Sequence, residues 1–135
     1  MIFLDKDTIN KVVLTLTESS TLSNPSYLFV FENDWDIDET STVNFTTPNA
    51  SLFTERYDLF TIEESSTGST SGGTSVALSL VNGQYTYTVY ESSASTLSIS
   101  ATTGVAIETG RMVVGNFITD LNNDTNNDPS LGIYD

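Results

Sequence analysis

Apolar and polar positions alternate along much of this chain, and no stretch holds a helical period. Residues 9–17, INKVVLTLT, place Val12, Leu14 and Leu16 on one side and Lys11, Thr15 and Thr17 on the other. That period of two predicts a half-buried strand. SYLFVFEN, residues 26–33, is the densest apolar run and predicts a central strand. Further strands are expected at MIFL, at STVNFTT ending before Pro48, over about residues 57–63 of ERYDLFTIEE, at the edge in TLSIS and, last, at RMVVGNF. VALSLV and QYTYTVYES flank Asn82-Gly83, which reads as a two-residue hairpin turn.

Turn residues separate these runs. DKDT follows the first segment, and ESSTLSNPS carries Pro25, which excludes a helix there. Residues 65–75, SSTGSTSGGTS, read as a flexible low-complexity loop within one domain, because neither half alone has strands enough for a closed core. Seven to nine short strands with turns between them predict an all-β, antiparallel β-sandwich of Ig-like type. It spans residues 1–118, with an acidic polar tail over residues 119–135.

The stretch NGQYTYTVYE sharpens that expectation. Ig-like sandwiches place a tyrosine just after a turn, near the start of a late strand, where its hydroxyl bonds back to the backbone. Tyr85 and Tyr87 fit that corner and point inward, whereas Tyr90 falls on the opposite face and is expected to be exposed. Trp35 lies outside the strand where an antibody-type domain carries its tryptophan.

Composition narrows the chemistry. In 135 residues, 18 acids face 4 bases, a formal charge of -14, so nucleic acid and anionic membranes repel the chain. No stretch reaches transmembrane length. There is no Cys and no His, which removes thiol chemistry, disulfides and imidazole-based catalysis or metal binding. The start MIFLDKDT lacks the basic and long apolar regions of a secretory leader, so synthesis and folding in a cytoplasm are expected.

Two acidic clusters remain as candidate cation ligands. Asp34, Asp36 and Asp38 alternate around Trp35 and Ile37. Asp120, Asn122, Asp124 and Asp128 open like an oxygen-ligand calcium loop, but Thr125 and Leu131 stand where an EF-hand needs Gly and Glu. Solvated acidic loops are the simpler reading of both, and calcium is the only cofactor worth carrying forward. No nucleophile has a recognisable activating partner, and the Gly-Ser stretch lacks the Lys of a phosphate loop, so the chain is not expected to be an enzyme. Trp35 and Tyr90 are the candidate partner-contact residues, as amphipathic aromatics suit interfaces.

The order KVVLTLTESSTLSNPSYLFVFEND, FTERYDLFTIEE, NGQYTYTVYESS and IETGRMVVG, covering roughly residues 9–115, resembles small proteins encoded in the structural-gene regions of tailed phages. These include marine phages, phages of Bacteroidota and crAss-like relatives. SNPSYLFVFEND, ERYDLF and YTYTVYESS carry the resemblance most specifically, and the stretch from Asp120 to Asp135 lies outside it. The resemblance implies a non-enzymatic virion protein: a head auxiliary, decoration or fibre-anchoring protein, or a neck or tail ring component. It would contact the major capsid protein or other virion proteins in a symmetric homo-oligomeric assembly, with no nucleic acid or membrane partner. It transfers no catalytic or binding residue. The alternative from another class is a cell-surface or carbohydrate-binding β-sandwich module, calcium-dependent, with Trp35 or Tyr90 as a stacking platform.

Overall fold

The computed structural model describes residues 1–35 and 42–115. Eight strands follow one another: β1 (Ile2–Asp5), β2 (Thr8–Leu14), β3 (Ser26–Asn33), β4 (Thr42–Thr46), β5 (Asp58–Ser69), β6 (Gly72–Thr74), β7 (Gly83–Ser92) and β8 (Ala106–Gly115). A 3-10 turn spans Ile99–Ala101, where TLSIS was expected to add a strand. Among the described residues no helix is long and apolar enough to cross a membrane.

Six strands form one sheet in the order β1-β8-β7-β3-β4-β6, and β2 pairs with β5 in a second. Side chains from both sheets meet in one core. The alternation of β2 turns Val12 and Leu14 inward, and its antiparallel register sets Val12 opposite Phe60. Phe60 then packs edge-on against Phe29 of β3, ring centroids 4.9 Å apart, and against Tyr27 at 5.8 Å. Phe45 of β4 lies 5.2 Å from Phe29 and 4.8 Å from Phe31. These offset and edge-to-face contacts add to the burial of large apolar area. β3 sits between β4 and β7, and its Leu28 and Val30 are buried on the outer face as well.

The all-β class stands, but the sheet is mixed rather than antiparallel: β1 runs parallel to β8, and β4 parallel to β6. Parallel neighbours need a long crossover. Between β4 and β6 the crossover is β5, which leaves the large sheet and pairs in the small one.

Two local expectations fail for physical reasons. The glycine-serine stretch is strand: β5 runs on to Ser69, and β6 follows at Gly72–Thr74. Gly72 permits the close approach, since it holds φ +84° and a Cβ there would overlap the Asn44 carbonyl oxygen. Asn82-Gly83 is not a hairpin turn either. Leu78 and Leu80 enter the core beside β5, with Leu78 bridged to Glu64 and Ser69, while β7 pairs with β3 and β8.

Candidate functional site

Trp35 defines the most exposed aromatic surface among the described residues, with 72% of its area open to solvent. Its position is built from β3 outward. The side-chain Oδ1 of Asn33, at the end of β3, accepts the Trp35 amide proton at 2.9 Å, a local turn typical of Asn. Asp34 extends the pairing with β7 by donating its amide to the Gln84 carbonyl at 2.8 Å. Its carboxylate accepts from the Thr86 hydroxyl at 2.8 Å and from Arg111 Nη1 at 3.3 Å. Three neighbouring strands are thereby tied together beneath the indole.

The indole lies across Gly83. A Cβ at that position would come within 3.1 Å of Trp35 Cε3, and Gly83 holds φ +150°, so the site needs glycine twice over. Trp35, Asn82, Gly83, Gln84, Val113 and Val114 line an open, mainly apolar hollow of about 330 Å³. Val113 stands opposite both Phe3 of β1 and Gln84 of β7, which carries the apolar surface across three strands. An aromatic anchor beside a charged rim, here the Asp34–Arg111 pair, is the anatomy of a protein contact surface.

Tyr90 does not share this surface. It is half-buried on the outer face opposite Leu28, beyond a register shift between Val89 and Tyr90. About 23 Å of strand separates it from Gly83. Tyr90 thus lies on the outer face, as expected, but is only partly exposed there. Of the candidate cation ligands, Asp120, Asn122, Asp124 and Asp128 lie outside the described residues, as do Asp36 and Asp38. Asp34 is engaged by Arg111 and Thr86. Among the described residues no three His, Cys, Asp or Glu side chains are grouped to hold a metal ion.

Tyr85 and Tyr87 are buried. The Tyr85 hydroxyl donates to the Val81 carbonyl at 2.9 Å, the backward bond expected of a corner tyrosine. The Tyr87 hydroxyl donates to Glu108 Oε2 at 3.0 Å. Burial, reinforced by the hydrogen bond and the charge of Glu108, pushes the Tyr87 hydroxyl up to about 12.

Sequence reasoning missed three buried carboxylates. Asp58 accepts from the Leu16 and Thr17 amides at 2.6 and 2.8 Å, from the Thr17 hydroxyl and from Asn49 Nδ2. Glu64 accepts from the Asp7 amide at 2.8 Å and the Leu80 amide at 2.9 Å, and pairs with Lys6 Nζ at 2.8 Å. Lys6 also donates to the Leu80 carbonyl. Glu91 accepts from the Thr21 and Leu22 amides and from the Ser20 and Thr21 hydroxyls. Burial alone would raise its carboxyl, but these donors outweigh that and hold it below the usual glutamate value. The signal was present as parity: Glu91 continues the inward set Tyr85, Tyr87, Val89, and Asp58 and Glu64 bracket Phe60 and Ile62.

Comparison of the chain with protein-family models, with curated proteins and with solved structures finds no match.

Proposed function

We propose that this chain is a non-enzymatic structural protein of a tailed-phage virion, a head auxiliary, decoration or fibre-anchoring protein. Its two sheets are read as the layers of an Ig-like β-sandwich, with the resemblance over residues 9–115 naming the virion setting. The observation that carries the reading is the Trp35 hollow: an indole 72% exposed, yet held in place by the backbone of Gly83 and by the Asp34 ties to β7 and β8. A large apolar group kept exposed in a fixed position is suited to a partner, and truncation of such anchors dominates interface energetics.

The charge of -14 fits an outward-facing position, away from packaged nucleic acid. The partner is the major capsid protein or another virion protein, and copies assemble with the symmetry of the particle. A neck or tail ring is the second form of the same reading. Quantitative mass spectrometry of purified particles tests it. A copy number near that of the major capsid protein assigns a lattice-wide decoration protein, and a much lower one a vertex, neck or tail component. Absence from the particles overturns the virion reading.

A further inference from the structure

We propose that a trench at the β4–β6 end of the domain, centred on Thr46 and Ser75, binds a neutral oligosaccharide. Two adjoining hollows, of about 230 and 400 Å³, share Thr46, Thr47, Pro48 and Ser75 as common walls. The larger falls in the size range of small-molecule sites, and the smaller extends it. The trench lies away from Trp35, involves none of the residues that line the Trp35 hollow, and does not depend on the virion reading.

Two independent features converge there. Thr46 is only 5% exposed, and its Oγ1 is buried with no hydrogen-bond partner. It is the only such side-chain atom among the described residues. An unsatisfied buried hydroxyl costs stability, and native structures keep few of them. Valine would fill the same space on a strand without that cost. Ser75 adopts φ +52°, a left-handed conformation that is strained for a residue with a Cβ. Strain of this kind concentrates at ligand sites. The two residues are joined directly, the Ser75 amide donating to the Thr46 carbonyl at 2.7 Å.

The lining specifies the ligand class. The larger hollow is walled by the hydroxyl residues Ser26, Thr47, Thr74, Ser75 and Ser95 and has no charged residue on its walls, in a chain with 18 acids, while the Asn49 amide that also borders it is spent on Asp58 and on the Ser51 and Leu59 amides. The smaller one adds a single acid, Glu63. An anionic ligand would meet no cation here, and a cationic one would find a single carboxylate at one end. A sugar offers hydroxyls that both donate and accept, matching such walls, while its C–H faces can lie on Pro25, Pro48 and Val76. An extended peptide would need open backbone groups. The Thr46 carbonyl is taken by Ser75, and the Thr61 carbonyl accepts the Thr47 hydroxyl at 3.2 Å.

The test is titration of the full chain with maltotriose, cellotriose and chitotriose, and separately with a blocked Gly-Ser-Gly-Ser peptide, followed by amide chemical shifts. The expected result is that at least one trisaccharide shifts Thr46, Thr74, Ser75 and Ser95. Ser95→Trp, at an exposed rim position, abolishes that response. Thr46→Val weakens it by about tenfold while the melting temperature holds or rises. The proposal is overturned if no trisaccharide shifts these residues at about 10 mM, if both variants bind as the parent does, or if the peptide alone produces the shifts.

Discussion

Both carboxylate oxygens of Glu91 lie within 2.9 Å of the Thr21 amide nitrogen, so a side chain of β7 holds the backbone of the loop that joins β2 to β3. Asp58 of β5 holds the start of the same loop at Leu16 and Thr17. One irregular segment is thus fastened to both sheets by buried anions whose donors are amides and hydroxyls. Glu91→Gln keeps the shape and loses the charge, and hydrogen bonds to a charged group are the stronger kind. The expected cost is about 2 kcal/mol, read as a lower urea midpoint with an unchanged slope.

The same carboxylate sets an acid limit. Its folded value lies below the ordinary 4.5, so its contribution is present above 4.5 and is lost as pH falls through the lower folded value. The urea midpoint should decline as pH is taken below about 4.5, and the decline should be shallower in Glu91→Gln. Parallel curves for the two proteins would assign acid sensitivity to other groups.

At the alkaline end the sign reverses. Tyr87 keeps its proton to about 12 in the folded protein, against an ordinary 10.0. Its contribution is present below pH 10 and is lost as pH rises from there through the folded value. Tyr87→Phe should flatten the fall in stability over this window, and ultraviolet titration should show Tyr27, Tyr85 and Tyr87 ionising late, with one late tyrosine fewer in the variant. The variant also leaves Glu108 without this donor, so its stability at neutral pH should be lower.

Two glycines with positive φ separate strain from crowding. Gly104 holds φ +80° with nothing within 4 Å of a added Cβ, whereas Gly72 holds φ +84° with the Asn44 carbonyl in the way. Gly104→Ala should cost about 1 kcal/mol, the conformational term alone. Gly72→Ala should cost about 3 kcal/mol, because the β4–β6 contact must also open. Equal melting temperatures for the two variants would contradict the close approach.

Trp35→Ala should change stability by less than about 0.5 kcal/mol, as its ring is mostly in solvent. It should nevertheless lower the copy number in purified particles, the loss expected of an interface anchor. Gly83→Ala should act in the same direction by displacing the indole. A large drop in melting temperature for Trp35→Ala would instead make the ring part of the fold.

Local periodicity made much of this structure legible. The run from Tyr27 to Phe31 read as a central strand and is one, and the alternation through Val12, Leu14 and Leu16 gave the inward face of β2 directly. Tyr85 was legible because its bond to Val81 spans four residues. What failed depended on distant chain. Gly72 signals a loop by composition, and only the Asn44 backbone across from it explains the strand. Asn82-Gly83 signals a hairpin, and only Trp35 and the Leu80–Glu64 bond show why the chain is placed otherwise. At the candidate site, Trp35 stood out by its chemistry, but its support by Asp34, Thr86 and Arg111 joins residues up to 77 positions apart. The Thr46–Ser75 trench gave no signal, since threonine and serine are unremarked in a chain so rich in both.

The parallel pairing of Ile2 with Met112 has a consequence for biogenesis. Strand β1 has no sheet partner until more than a hundred further residues have been made, and β8 itself lies between β1 and β7. Contacts of such sequence separation slow folding, because the chain must close a long loop before the pairing repays it. The large sheet therefore closes only after the ribosome has released residues through β8. Until then the apolar face of Ile2 and Leu4 depends on its brevity, four residues, to escape pairing with another chain.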